Sequence, residues 1–493
     1  MKKVVIIGGG VSGLSAGIYA QQKGYQTEIY EKNPMVGGEC TGWNRHGYHI
    51  DNCIHWLTGS QKQDDLYSIW QNVGVLDDHV KLHREDFLYK LEMDGISLHL
   101  WRDMEKARTE FLQIAPEDRA EINKFFDHVK LAECVRVPFE KAQADMNLID
   151  LMKFGMPMKS MSKVMKEYGQ ETVTDFAKRF QNPYVKAIMG KYFSENFLAY
   201  TLITSYAFLT SGTGAIPMGG SVGLVARMAK RYADLGGTIY TGKPVEKVNL
   251  LNGAAVSVSF ADKSTVPCDY VICATDTSVT FSKLLPAEYM PKNLKTLYRE
   301  TKGYRLSSGF NVSFGVIGSE PCSVTGATIF PCESFQVGKQ ACDFMGTRMY
   351  DYDDTLFPAD KRVIQCNFLQ NEEDYEYWKS LHADRARYNA EKERIAQDAE
   401  RRIIAQFPEL TGRLQLLGTY TPYTFTKWCG AYKGAYMSFY EQKGFKALTM
   451  KNTMKGLSNV ILAGQWTAMN GGLPVAVTSG KFAAQKLPKI KEP

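Results

Sequence analysis

The chain has 493 residues, 44% of them hydrophobic and 23% charged, with a formal net charge of +6. That length supports two domains or one large bilobal unit of ordinary globular composition. The charge is mild and dispersed with no basic stripe of interleaved aromatics, which excludes a nucleic-acid binder, and no uninterrupted apolar segment is long enough to span a bilayer. The ten cysteines are scattered without a C-x-x-C pair, which argues against a disulfide scaffold or zinc knuckle and for a reducing, cytoplasmic compartment. His46, His49 and His55 lack a matching cysteine or carboxylate set, so no metal site is expected.

In chain order, the first element is a buried parallel strand, Lys3 to Ile7, feeding Gly8-Gly9-Gly10-Val11-Ser12-Gly13 and a helix from about Val11 to Lys23. Each glycine has a separate task. Gly8 makes the tight turn and Gly10 lets backbone amides approach a diphosphate at the helix N-terminus. Gly13 and Gly17 let the helix sit close to the sheet. A second strand, Gln26 to Tyr30, ends at Glu31, about 20 residues beyond the loop, where a carboxylate accepts ribose hydroxyl hydrogen bonds. Strand, loop, helix, strand and acid in this order specify a dinucleotide grip. Gly13-Leu14-Ser15-Ala16-Gly17 matches a nucleophile-elbow pattern but falls inside the helix, so Ser15 is no nucleophile. Lys2 and Lys3 precede an apolar run that three glycines interrupt, which reads as strand and loop and not as a signal peptide.

A mainly helical excursion follows from about 84 to 215, with Pro116-Glu117-Asp118 at an expected helix start. The α/β pattern resumes at Pro217-Met218-Gly219-Gly220, with an amphipathic helix from about Val222 to Leu235 and strands near 238–240, 245–248, 256–260 and 270–274. A second excursion, 286–455, carries alternating strands at Phe310–Phe314 and Val363–Phe368. It also carries a helix whose Ile395, Ala399, Ile403 and Phe407 share one face. The last α/β piece is a strand near 459–464, then Gly471-Gly472-Leu473-Pro474 and a closing helix to about Leu487. The expected fold is therefore α/β. A Rossmann-like domain is built from three separated segments (1–83, 216–285 and 456–493), with an interleaved mixed α+β substrate domain (84–215 and 286–455).

Several of these stretches together resemble the phytoene desaturase and carotenoid isomerase flavoproteins of the amine-oxidase-like group. They are the N-terminal grip, Val36-Gly37-Gly38-Glu39-Cys40-Thr41, Gly47 to Asp51 with His55-Trp56-Leu57, and the Pro217 to Gly220 turn. Gly464-Gln465 through Gly471-Gly472-Leu473-Pro474 to Ser479-Gly480 completes the set. The likeness is much looser over the substrate lobe. It implies FAD as cofactor, held by Gly8, Gly10, Ser12, Gly13, Glu31, Lys32, Gly37, Gly38, Glu39, Cys40, Val245, Gly464, Gln465, Gly471, Gly472, Leu473 and Pro474. By this resemblance Val245 contacts the adenine through its backbone, and Gly37-Gly38 passes beneath the ribityl chain. Gln465 departs from the acidic or small residue common there. The residues also favour FAD independently, because an extended coenzyme reaching from Glu31 needs backbone contacts far along the sequence, and the C-terminal glycines supply them. Pro474 fits the first turn of the closing helix, whose N-terminal amides would favour the reduced ring by roughly 0.3–2 kcal/mol.

With one nucleotide fingerprint only, the flavin is expected to take a hydride from a substrate C–H bond and pass the electrons to an acceptor that the sequence does not specify. Such a site must be dry and hold the carbon about 3–3.5 Å from the ring. The aromatic run Tyr420, Tyr423, Phe425, Trp428, Tyr432, Tyr436, Phe439 and Tyr440 reads either as a hydrophobic channel or as core. His55 and Tyr436 are the candidate catalytic side chains, with a packing role the alternative for His55. Met146 to Lys166 is rich in methionine and lysine, consistent with a membrane-surface contact, a lid or core packing. The expected activity is oxidoreduction of C–C or C=C bonds in a polyene, isoprenoid or fatty acid. The alternatives are redox-neutral isomerisation, an amine oxidase-like reaction, and a lipid-binding escort without catalysis, the intact glycine loop and Glu31 favouring an enzyme over the last.

Overall fold

The computed structural model describes residues 1–490. Its nucleotide-binding sheet has five parallel strands in the order Val460–Leu462, Tyr270–Cys273, Lys3–Ile7, Gln26–Tyr30 and Thr238–Tyr240. Val4, Val5 and Ile6 of the central strand are wholly buried, as an unbroken β-branched run requires when helices or loops cover both faces. The helix Val11–Gln22 packs directly on the closing helix Gly472–Gln485. The Ser15 hydroxyl donates to the Val477 carbonyl at 2.6 Å, and Gly480 lies against the Ser12 carbonyl with no room for a side chain. Both ends of the chain therefore meet on one face of the sheet.

The helix after Pro217 spans Gly220–Asp234, starting two residues earlier than its hydrophobic period suggests. The cause is Asp51, fully buried at the end of the hairpin strand Tyr48–Asp51, whose carboxylate accepts from the Ser221 backbone N–H and hydroxyl. A carboxylate in that position satisfies orphan donors and complements the helix dipole. Pro116–Asp118 forms one 3₁₀ turn that leads into the helix Arg119–Ala132.

A second, seven-stranded sheet runs in the order 414–420, 308–316, 363–370, 340–350, 327–337, 87–93 and 96–101. One face buries Phe310, Val312, Ile364, Cys366, Met345 and Met349 against the 22-residue helix Arg385–Gln406 through Ile395, Ala399 and Ile403. The alternation of period two then turns Asn311, Gln365, Asn367, Arg348 and Tyr350 to the opposite face, which floors a cavity. Helix Tyr200–Thr210 lies across it, with Thr201, Thr204, Ser205 and Phe208 on the cavity wall.

Among the described residues no helix is long and apolar enough to cross a membrane. The Met146 to Lys166 stretch folds as helix Leu148–Gly155, a 3₁₀ turn at Met156–Met158 and helix Met161–Tyr168. The first helix buries none of its residues, so it does not pack as core.

Candidate functional site

Gly8 adopts φ +104°, a region that costs a β-carbon dearly. A side chain at Gly13 would overlap the Gly8 carbonyl oxygen, whereas at Gly10 the nearest atom is 3.8 Å away. The loop is thus closed where it packs and open beside Gly10. Gly10 is the N-cap of Val11–Gln22 with no side-chain cap and no acid in the first turn, so the N-terminal amides remain available to an anion. Buried Glu31 accepts from the Gly9 N–H at 2.7 Å and the Asn33 N–H at 2.8 Å, which fixes the carboxylate beside the loop with lone pairs to spare. Gly37 donates to the Gly9 carbonyl at 2.9 Å and bridges to Gly10, bringing the Gly37-Gly38 turn onto the loop.

The other end of the site belongs to the C-terminal segment. Gly464, Gly471 and Gly472 have φ of +130°, +55° and +86°. Gly464 donates to the Ser479 hydroxyl at 2.9 Å. Gln465 bridges the site, accepting from the Gly472 N–H at 2.9 Å and donating to the Glu39 carboxylate at 2.9 Å. Gly471, Gly472, Leu473 and Pro474 line the cavity, and the closing helix points an N-terminus without a side-chain cap into it. Burial pushes the Glu39 carboxyl up to about 8, against the smaller opposing effect of hydrogen bonds from Cys429 and Gln465. Near neutral pH this group carries a proton it can donate.

Three further residues of the expected set make these contacts within the protein. The Cys40 thiol points to the Ser221 carbonyl and packs against the helix Gly220–Asp234. The Lys32 ammonium donates to the Lys427 carbonyl at 3.2 Å. Buried Val245 opens the strand Val245–Leu251 beside Phe260, near the stack of Tyr30 on Tyr240. Of the aromatic run, Tyr420, Phe425, Tyr436 and Tyr440 line the cavity. Phe439 packs in the core with Tyr432 against it, Tyr423 stands against His382, and Trp428 donates to the Gly38 carbonyl at 3.2 Å. The run divides because Tyr423, Phe425 and Trp428 sit on different sides of the helix Pro422–Cys429, and adjacent Phe439 and Tyr440 face opposite ways.

The cavity measures about 1440 Å³ and extends from Glu39 and the closing helix past His55 and Trp56, larger than pockets that hold a drug-sized ligand. Burial, with the Arg348 charge adding to it, holds the His55 imidazole down at about 3, so it is neutral throughout the physiological range. The Tyr436 hydroxyl lies 3.1 Å from the Ser307 hydroxyl and burial raises its pKa. Three buried atoms of cavity-lining residues have no hydrogen-bond partner, Asn52 Oδ1, Ser438 Oγ and Glu441 Oε2, Ser438 lying next to Gly471. Orphaned polar atoms beside an open helix N-terminus fit a bound group carrying both donors and acceptors, as an isoalloxazine edge does. Sequence reasoning missed Asn52, Ser438, Arg348 and Glu85. The polar positions of the strands at 308–316 and 363–370 were the available signal for a polar cavity face.

The chain belongs to the flavin containing amine oxidoreductase family, which matches residues 11–310. It is similar to a 1-hydroxycarotenoid 3,4-desaturase of Flavobacterium sp. (strain P99-3), 23% identical over 99% of each chain. It also resembles a 4,4'-diapophytoene desaturase (4,4'-diapolycopene-forming) of Methylomonas sp, 22% identical over 98% of this chain and 94% of the other. Among solved structures, an oxidoreductase from Methanosarcina mazei aligns with TM-score 0.56 at 16% identity, covering 98% of this chain and 99% of that one. A variant of putrescine oxidase aligns with TM-score 0.58 at 13% identity over 98% of both chains. The protein is thus an FAD-dependent oxidoreductase with the fold expected of it.

Proposed function

We propose that the protein desaturates a polyene isoprenoid, removing hydrogen from adjacent carbons of a long apolar chain held in the cavity. The observation that carries this is the cavity itself, about 1440 Å³ with Trp56, Phe208, Phe344 and Met469 on its wall, ending at the closing helix N-terminus. The names of the two carotenoid desaturase relatives support the substrate class. FAD, when bound, supplies a hydride acceptor. The protein's own part is to exclude water from the buried chain, to present the Gly472–Gln485 helix N-terminus where negative charge accumulates, and to hold a protonated carboxyl, Glu39, within reach of Gln465. His55 is neutral and lines the wall, which suits it to hydrogen bonding and not to carrying a proton. Incubation of the holoprotein with a partly saturated carotenoid and an artificial quinone should yield products lighter by hydrogen pairs in mass spectrometry. Products of unchanged mass would replace this reading with isomerisation.

The substrate is membrane-borne on this reading, and one surface suits delivery from a bilayer. Leu148 and Met156 are 74% and 71% exposed, Ile149, Leu151, Met152 and Met165 are also exposed, and Lys153, Lys159, Lys163 and Lys166 are interspersed. Met161 and the Ala142 to Ala144 loop beside this patch line the cavity. Apolar side chains with lysines between them match a peripheral contact with anionic lipid. Replacing the four lysines by glutamate should abolish cosedimentation with anionic liposomes, and undiminished binding would remove this part of the proposal.

A further inference from the structure

Glu441 is a buried acid on the cavity wall that the fold leaves half used. It is 8% exposed and ends the short strand Tyr440–Glu441. Its Oε1 accepts from the Tyr200 hydroxyl at 2.8 Å, while Oε2 has no hydrogen-bond partner. No cation among the described residues pairs with it. Arg305, opposite Tyr440 on the neighbouring strand, pairs with Glu372 at 3.1 Å, and Arg348 pairs with Glu85 at 3.2 Å. A buried carboxylate held by one neutral donor is costly, so a fold that keeps one on a cavity wall marks a chemical site.

The course of the segment places this acid at the end of the cavity where the closing helix begins. Ser438, three residues earlier, lies against Gly471, and its Oγ is also unpartnered. The Phe439 carbonyl accepts from the Asn470 N–H at 2.8 Å. The Asn470 side-chain amide reaches the Tyr200 hydroxyl at 3.5 Å, which links Glu441 through Tyr200 to the residue before Gly471-Gly472.

Removing hydrogen from two adjacent carbons needs a proton acceptor besides a hydride acceptor, and a dry site offers no water for the purpose. Four acids line the cavity, Glu39, Glu195, Asp343 and Glu441. Glu195 and Asp343 are exposed, Asp343 being paired with Lys191. Glu39 is pushed up to about 8 and keeps its proton, and His55, held down at about 3, takes none up. On the reading of the function above, we infer that Glu441 Oε2 is the base that takes the proton from the carbon next to the one that gives up the hydride. The hydride leaves with its bonding pair for the cofactor. The adjacent C–H bond breaks, its proton forms the O–H bond on Oε2, and its electron pair becomes the new C=C bond. The substrate is oxidised by two electrons and FAD is reduced by two. Tyr200 is the positioning residue, its hydroxyl occupying Oε1 and leaving Oε2 for the substrate.

The test uses the FAD-loaded protein and Glu441→Gln, whose amide oxygen still accepts from Tyr200 but whose nitrogen takes no proton. Affinity for the fully desaturated product, read by quenching of tryptophan fluorescence with Trp56 in the cavity, should stay within threefold of the wild type. The anaerobic rate of flavin bleaching by the partly saturated polyene should fall at least hundredfold, as loss of a general base requires. Glu441→Asp should recover part of that rate. Infrared difference spectra of the wild type need no variant, and across the anaerobic reaction they should show a protonated carboxyl appearing as the flavin bleaches. Glu441→Gln, given time to bleach fully, should not show it. A rate loss below hundredfold, product affinity lost in step with rate, no carboxyl signal in the wild type, or the same signal in Glu441→Gln overturns the inference. Any of these in a protein that the polyene still bleaches leaves desaturation standing and removes this inference alone, whereas a wild type that no polyene bleaches removes both.

Discussion

Gly480→Ala is the sharpest probe of how the two chain ends build one site. The new Cβ would overlap the Ser12 carbonyl oxygen and lie 2.7 Å from both the Ala16 nitrogen and Ser15 Cβ. Two of those atoms are backbone, so no rotamer change relieves the contact, and the helices Val11–Gln22 and Gly472–Gln485 must separate by about an ångström to restore van der Waals distance. Overpacking of this kind costs about 1–3 kcal/mol. With an unfolding entropy near 2.1 cal/mol/K per residue, a chain of this size loses only about 1–3 °C in Tm. The effect on cofactor binding should be larger in proportion, because both helix N-termini that address the coenzyme move relative to one another. Flavin affinity is expected to fall at least tenfold, about 1.4 kcal/mol. The assay is fluorescence titration of the deflavinated protein with FAD, alongside a thermal scan. Gly155→Ala is the control, since no atom lies within 4 Å of the point its Cβ would occupy in the helix Leu148–Gly155, and it should be neutral or stabilising by up to about 1 kcal/mol. If Gly480→Ala binds FAD within twofold of the wild type, the shared site is refuted.

Further outcomes follow from single side chains. Glu31→Ala leaves the Gly9 and Asn33 N–H groups without their acceptor, at about 1–3 kcal/mol each when buried, and should weaken FAD binding at least tenfold in the same titration. Glu39, raised from its ordinary 4.5 to about 8, binds its proton more tightly folded than unfolded. Its contribution to stability is therefore full below about pH 4.5 and is lost as pH rises to about 8, on the order of 5 kcal/mol at most. Chemical denaturation of wild type and Glu39→Gln across that window should show the wild type falling relative to the variant, and parallel curves would contradict this. His55, held down at about 3, gives no titration between pH 5 and 8, so His55→Gln should leave the pH profile of kcat/KM unshifted there. Tyr436→Phe forfeits the 3.1 Å contact with Ser307 and should cost about 1 kcal/mol of stability with kcat within a few-fold, whereas abolished turnover would make its hydroxyl catalytic.

Much of the nucleotide half was legible in the sequence because its constraints are local. Gly8, Gly13 and Glu31 are fixed by a turn, a close approach and a hydrogen bond within one supersecondary unit, and the strand at 26–30 begins and ends where the pattern puts it. The start of the helix at Gly220 was less visible, since the capping acid Asp51 lies 170 residues earlier in the chain. The substrate cavity was largely invisible for a related reason. Alternation in the strand Ser308–Val316 shows that Asn311 and Phe310 face opposite sides, but only the tertiary fold decides that the polar side faces an interior space and not bulk water. The pairing of Arg348 with Glu85, 263 residues apart, leaves no periodic trace at all. The aromatic content of the 420–440 stretch left channel and core equally open; Tyr420, Phe425, Tyr436 and Tyr440 line the cavity, but composition cannot say which way each ring turns.

The most direct measurement is an anaerobic titration of the yellow holoprotein with a polyene substrate while the visible flavin absorption is followed. The account predicts stoichiometric bleaching of the oxidised flavin together with a red shift of the polyene band as its conjugation lengthens. A polyene that quenches Trp56 and so occupies the cavity, yet leaves the flavin fully oxidised over many turnover times, would contradict it.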